Sequence, residues 1–425
     1  MKKIVREDSA NYVVSIVEIG EIFDIPNADK IKRTVVYGNN IIIDTNTKTG
    51  DKMLYINSGT KLNIDFAKFN NLLTDSELNK DKKPGYVSHK KLLIKAIKLK
   101  GIVSDGILLP MEAINFINEN ISYDLFEIND VFTDLQFGDN TYNLCEKYIV
   151  PVRNNSGNGK VSKQPKEKLR DLIVNNQFRF HNETSHLGKN LFKINEDDEL
   201  IVTRKRHGSS LILSNVLIIK KLKWYEKLLK YIGYKLPISE YGFIWSSGKP
   251  KSQVPKGLVS DTHNWRTKNM SFYNDDIWRT AYTLHKDNVE KGVTIYGEIT
   301  GEGIQGPNYT YGKSYDIHIY RITLTNVDGN VYELGWNEVV DYCNKYNLNY
   351  CEEYERFKIK DLNTNILDYL TEKYINKSYP DCKIDEGICI RNTRNNEIFK
   401  YKSPNFLLFE QKELDNDVSN IEDEQ

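Results

Sequence analysis

One run of residues sets the terms for this chain: Leu200-Ile201-Val202-Thr203-Arg204-Lys205-Arg206-His207-Gly208-Ser209-Ser210-Leu211-Ile212-Leu213. An apolar strand closes on a lysine, and a glycine three residues later turns the chain into a second apolar strand. Such an arrangement places one amine at the mouth of a pocket floored by strands. An amine there can attack a phosphorus atom when something holds a nucleotide above it. The tetrapeptide Lys205-Arg206-His207-Gly208 carries little weight alone, because a lysine beside a turn is ordinarily a solvated charge. Its weight comes from the segments downstream of it in the chain.

About ninety residues on, Thr294-Ile295-Tyr296-Gly297-Glu298-Ile299 reads as a strand with one acid in it. The stretch from Tyr315 to Ile322 alternates in a β-like way and carries Tyr320. Asp385-Glu386-Gly387-Ile388-Cys389-Ile390 and Phe399-Lys400-Tyr401-Lys402 come last. Taken in this order, the segments resemble the nucleotidyltransferase motifs of the ATP-dependent ligase and capping-enzyme superfamily, and within it the nick-sealing RNA ligases. The residues that carry the resemblance are K-x-H-G-[ST] at Lys205, G-E-x-x-G-x-G-I-Q from Gly297 to Gln305, and E-G-x-x-I at Glu386 followed by K-x-K. They span residues 175–410, and the ordered series is far more specific than any member of it.

The resemblance implies roles. Lys205 is the nucleophile, to be joined to AMP, and it must lose its proton first. An ordinary lysine, with a pKa of about 10.4, is protonated at neutral pH. Arg204, Lys400, Lys402 and a bound metal ion are expected to push that value down. His207 would orient the phosphate, and Glu298 would accept hydrogen bonds from the ribose hydroxyls. Tyr320 would stack on adenine, with Tyr315 as the competing candidate. Glu386 would hold magnesium or manganese, in part through water. Lys400 and Lys402 share a strand face and would neutralise the α-phosphate. Gln305 would contact the base, the sugar or the strand end. The glycines Gly301, Gly303 and Gly306 also satisfy G-x-G-x-x-G, but no helix can open at the following Pro307.

Two departures from the family pattern stand out. Arg204 precedes the lysine where many members carry glutamate. The segment Ile244-Trp245-Ser246-Ser247-Gly248-Lys249-Pro250 lacks the arginine that relatives use to hold the 5′-phosphate strand. Lys249 or Lys251 would substitute, without the bidentate contact that only arginine gives.

A chain of 425 residues is too long for one ordinary core, so two or three domains are expected. Its 59 basic and 59 acidic side chains cancel, so nucleic acid would have to be held by local patches. The five cysteines show no C-x-x-C or zinc-type spacing, which fits reduced thiols in a cytoplasmic protein. There is no apolar run of about 18 residues and no apolar signal core, so no membrane partner is expected.

The first ~110 residues read as short strands between turns, which means a small barrel. Tyr12–Ile19, Thr34–Tyr37, Ile41–Asp44, Lys52–Ile56, Leu92–Leu99 and Ile107–Pro110 are the strand candidates. The wording of Ile25-Pro26-Asn27-Ala28-Asp29-Lys30 and of Ile97–Ile107 resembles the OB-type tRNA-binding modules of some aminoacyl-tRNA synthetases, a module that also heads one family of nick-sealing RNA ligases. Residues 111–150 look like a partly helical connector. Helices are expected at Trp224–Tyr234, with Leu228, Leu229 and Ile232 facing inward, and at Asp276–Glu290, Asn337–Tyr346 and Ile366–Ile375.

The expected fold class is therefore α+β. An N-terminal OB-type β-barrel with its connector (1–150) and a basic linker (151–170) lead to a ligase-type nucleotidyltransferase domain of antiparallel sheets flanked by helices (171–410). A frayed acidic tail (411–425) completes the chain. The resemblance implies an ATP-dependent RNA ligase acting as a monomer on RNA, or on an RNA-containing duplex, with 5′-phosphate and 3′-hydroxyl ends. A DNA ligase or a capping guanylyltransferase of the same superfamily, and a non-catalytic OB-fold nucleic-acid-binding protein, are the competing readings.

Overall fold

A tight hairpin shows how the N-terminal domain is built. Ile31–Val36 pairs with Asn39–Asp44 through a two-residue turn at Tyr37 (φ 52°) and Gly38 (φ 84°). Positive φ at both central residues gives the turn whose twist matches its strands. The computed structural model describes residues 1–149, 168–181, 183–248, 255–266, 273, 276–305, 311, 314–375 and 377–415. Around the hairpin, an antiparallel sheet runs in the order Ile107–Pro110, Lys52–Ile56, Val14–Glu18, Val131–Phe132. One core fills the domain, with Val14, Ile16, Leu54, Ile56, Phe66, Phe126 and Phe132 buried in it.

The connector expected over 111–150 is largely barrel. Met111–Phe116 and Tyr123–Leu125 are short 3-10 helices, and then four strands follow: Val131–Phe132, Asp134–Phe137, Asn140–Asn143 and Cys145–Lys147. They pair back onto Val14–Glu18, Lys2–Ile4 and Thr60–Leu62. Of the expected linker, 151–167 lies outside the described residues, as does residue 150 before it. Leu169–Leu172 is already a helical turn of the second domain, where Leu172 and Ile173 join a core with Ile212 and Ile218.

Two sheets make the second domain. A five-stranded sheet runs Ser185–His186, Ile398–Lys402, Gly387–Asn392, Glu199–Arg204, Glu353–Lys358. A seven-stranded antiparallel sheet runs Asn264–Arg266, Gly257–Val259, Ser239–Ser246, Ser209–Ile219, Val293–Thr300, Asp316–Thr325, Val331–Glu333. The first buries Leu200, Val202, Ile388, Ile390 and Phe399 against the helix Ile366–Tyr374. The second buries Leu211, Leu213, Ile295 and Ile319 against the helices Ile277–His285 and Trp336–Tyr346.

The tail expected from 411 is helical to 415. Pro404–Asp415 is one helix that packs on the N-terminal domain's hairpin, Ala96–Leu99 with Ile102–Asp105. Gln411 is buried and Phe406 sits in the interior, so packing holds what the acidic composition would let fray. Residues 416–425 lie outside the described residues.

The two domains also meet at Tyr401. Its hydroxyl lies 3.0 Å from the Gly38 carbonyl oxygen and 2.7 Å from Thr371 Oγ1. Tyr401→Phe removes both interactions and is expected to cost about 1–2 kcal/mol. A lowered urea midpoint with an unchanged m-value would show it.

Candidate active site

The lysine loop is the crossover between the two sheets. Glu199–Arg204 ends in the five-stranded sheet and Ser209–Ile219 begins in the seven-stranded one, so Lys205–Gly208 spans the cleft between them. Gly208 is required there by close approach. A Cβ on it would stand 2.2 Å from the Ile299 carbonyl oxygen. Its N–H donates to Glu298 Oε1 at 3.0 Å, and Ser210 Oγ donates to Glu298 Oε2 at 3.4 Å. Glu298 therefore pins the loop, and a carboxylate with about four lone-pair sites keeps acceptor capacity for a ligand. Gly208→Ala is expected to push the loop off Glu298 and lower any reaction at Lys205 by roughly 100-fold, since displacement by about 1 Å costs that much. Initial rates at saturating nucleotide would measure it.

Lys205 Nζ lies 2.7 Å from Glu386 Oε1, and Glu386 is completely buried. The Lys205 N–H also donates to the Gly387 carbonyl at 3.1 Å, which ties the two motifs together. His207 is buried beside them, with Nδ1 3.9 Å from Glu386 Oε2, its ring 5.0 Å from that of Phe406, and its N–H donating to the Tyr311 hydroxyl at 2.9 Å.

The expectation that Arg204 depresses the lysine pKa is corrected. Successive strand residues face opposite ways, and Arg204 points away to make a bidentate pair with Asp381 at 2.6 and 2.8 Å. Lys205 itself lies against the Glu386 carboxylate.

Tyr315 and Tyr320 both pack on the core of the seven-stranded sheet and differ in what they meet beyond it. Tyr315 donates its hydroxyl to the Ile277 carbonyl at 2.8 Å and packs against the core of the seven-stranded sheet. Tyr320 is the extra residue of a bulge, because Tyr296 pairs with Arg321 and Gly297 with Ile319. Bulges re-aim side chains next to working sites. Its carbonyl accepts from Arg391, which reaches across from the other sheet. Burial first, then the Glu298 charge, raise the Tyr320 hydroxyl well above its ordinary pKa, while Lys205 opposes them. Tyr320, Glu298 and Lys205 thus share one environment.

Lys400 and Lys402 do share a face, and each meets a carboxylate. Lys400 Nζ lies 3.1 Å from Glu183 and Lys402 Nζ lies 2.9 Å from Glu410. Both line a cavity at the domain seam together with His186, Lys189, Tyr55 and Asp105. Burial pushes Glu183 up, but Lys400 and Lys147 outweigh it and hold the carboxyl at about 2.

Gln305 is turned inward. Its Nε2 donates to the Gly208 carbonyl at 2.6 Å, so it braces the lysine loop where a ligand contact was expected. Lys249 and Lys251 lie outside the described residues.

Sequence reasoning missed His181. Its N–H donates to the Gly248 carbonyl at 3.1 Å, and its ring meets that of Tyr320 edge-on at 5.5 Å. Burial, with the Arg321, Lys205 and Lys400 charges, lowers it to about 4, so it stays neutral beside the site. No motif marks it, because it belongs to an irregular stretch between the linker and the first strand.

Residues 198–402 match the RNA ligase family, and residues 13–111 match an OB-fold domain. Among solved structures, the RNA ligase of Naegleria gruberi with pyrophosphate superposes with a TM-score of 0.57 at 16% identity, covering 96% of this chain and 100% of that one. A lysine variant of the same ligase with ATP and manganese gives 0.55 at 15%, covering 97% and 99%. At such identity the likeness speaks for the fold, here across both domains. A comparison with curated proteins gives no match. Among the described residues, no helix is long and apolar enough to cross a membrane.

Beside Lys205, a metal ion would meet the buried carboxylate of Glu386, with buried Asp385 next to it in the chain. No cluster of three or more His, Cys, Asp or Glu side chains exists among the described residues. Glu386 is buried, and among the described residues neither of its oxygens accepts a hydrogen bond beyond the Lys205 ion pair. Magnesium binds through one or two carboxylates, waters and substrate phosphates, so the buried glutamate facing the lysine fits it.

Proposed function

We propose that the protein is an ATP-dependent RNA ligase that joins 3′-hydroxyl and 5′-phosphate ends, at nicks in RNA-containing duplexes, as a cytoplasmic monomer. The observation that carries the reading is Lys205 at the crossover of two sheets, 2.7 Å from a fully buried glutamate, inside a segment that matches RNA ligases. The same match favours RNA ligation over DNA ligation or capping. The five unpaired thiols suit a reducing compartment.

In the first step the Lys205 amine attacks the α-phosphorus of ATP. An N–P bond forms, the α–β phosphoanhydride breaks, and pyrophosphate leaves. In the second, an oxygen of the RNA 5′-phosphate attacks the same phosphorus, the N–P bond breaks, and a 5′–5′ pyrophosphate links AMP to the strand. In the third, the 3′-hydroxyl attacks the 5′-phosphate and AMP leaves. Glu298 receives the ribose hydroxyls and Tyr320 stacks on adenine. Lys400 and Lys402 exchange Glu183 and Glu410 for phosphate oxygens, and His207 orients the α-phosphate. Gln305 positions the lysine loop, and Lys249 is assigned to the 5′-phosphate strand. Glu386 would hold magnesium or manganese, which supplies charge neutralisation at the phosphates.

The test is incubation with α-labelled ATP and magnesium, then a denaturing gel. An acid-labile labelled band, lost with chelator, supports the reading; no label from ATP on folded protein refutes it. Nicked duplexes of defined RNA and DNA composition then decide the strand requirement.

A further inference from the structure

The helix Trp224–Tyr231 is expected to bury an apolar face, and it does not. Glu226 is its one buried residue, while Trp224 is 78% and Tyr231 88% exposed. Leu228, Ile232, Tyr234 and Ile238 are exposed as well. The helix connects the end of Ser209–Ile219 to the start of Ser239–Ser246, and none of its apolar residues joins the core beneath those strands.

Its surface is ordered in two stripes. Trp224, Leu228 and Tyr231 repeat at i, i+4 and i+7, which is one helix face. Lys223, Lys227 and Lys230 repeat at the same spacing one residue earlier, so a row of ammonium groups runs beside the aromatic row. Residues 220–238 hold six lysines against one acid, in a chain whose total charge is zero. That acid, Glu226, is consumed by Lys220 Nζ and by the Lys223 N–H at 2.8 Å, where it closes the helix start. The other five lysines form a local positive field.

We propose that this helix is a docking site for single-stranded RNA, distinct from the site at Lys205. A strand presents phosphates along one side and base faces along the other. Parallel rows of lysine and of Trp and Tyr are the complement to that, and the contact tolerates any sequence. The helix lies ten strand residues from the lysine loop, about 33 Å along the strand. It therefore holds RNA outside the reacting ends. The inference rests on the ligase reading for its substrate class, and its test is separable from that reading.

The probe is a labelled unstructured oligouridylate, titrated with full-length protein over a range of salt concentrations. Lys223→Gln/Lys227→Gln/Lys230→Gln is expected to make the plot of log affinity against log salt shallower by about 2, at 0.7 per phosphate contact. Trp224→Ala and Tyr231→Ala are each expected to weaken binding roughly 5- to 150-fold. Labelling of Lys205 by ATP stays within about twofold in every variant, and absent labelling in the parent counts against the ligase reading alone. Unchanged oligouridylate affinity and salt slope in well-folded variants overturn the docking site. So does a loss confined to binding of phosphatidylserine vesicles, or to self-association, which would assign the helix to a membrane surface or a second copy.

Discussion

Lys205→Ala is expected to give no labelled protein with α-labelled ATP, a loss of more than about 10⁴-fold, because no other side chain can replace the nucleophile. The same variant should still join a strand that already carries a 5′-adenylate. The third step breaks a bond between AMP and RNA and forms none to the protein, so it needs the phosphate-binding groups and not the amine. The expected result is therefore a split: adenylation abolished, sealing of the pre-adenylated nick retained within about tenfold. Equal loss of both would mean that Lys205 holds phosphate in every step and is not the covalent carrier. Label remaining on Lys205→Ala would move the nucleophile elsewhere, with Lys189 the first residue to test. Lys189 lines the seam cavity, where burial lowers its amine to about 8.

The site was legible where its chemistry is local and opaque where it depends on distant partners. Lys205, His207 and Gly208 lie within four residues of each other, so the crossover could be read from two apolar runs and a glycine. Lys52–Ile56 appears as a strand with the bounds its alternation suggests. By contrast, Val131–Phe132 and Cys145–Lys147 are too short to show any period, and 111–150 passed for a connector. Arg204 looked like a neighbour of the lysine in sequence but pairs with Asp381, 177 residues away. Lys400 is matched to Glu183, 217 residues away, and nothing in K-x-K announces that acid. Tyr320 differs from Tyr315 through a bulge, and a bulge depends on a partner strand. The amphipathic spacing of Trp224–Tyr231 was correct as a helix and wrong as a burial signal, because periodicity reports that a face exists and not what covers it.

The strongest consequence of the structure concerns Glu386. Its carboxylate and the Lys205 ammonium neutralise each other inside the cleft. That pairing is stabilising for the fold and inhibitory for the chemistry, since a protonated amine cannot attack phosphorus. Glu386→Gln should therefore act in two directions. The lysine loses the carboxylate 2.7 Å away while still largely buried, and stability is expected to fall by about 3 kcal/mol, the lower end for breaking a buried pair. Adenylation is expected to fall about 10²–10³-fold, with a raised requirement for magnesium, if the carboxylate is also the metal anchor. A pure lock would behave otherwise: the freed amine would lose its proton more easily, and Glu386→Gln would be adenylated faster than the parent at neutral pH. Adding Lys205→Met to Glu386→Gln separates the terms. It removes both charges, so most of the lost stability should return, and the coupling energy of the cycle reports the ion pair alone. Recovery of stability in the double variant, with slowed adenylation and a shifted magnesium midpoint in Glu386→Gln, would establish that one buried carboxylate guards the nucleophile until a metal and nucleotide take its place.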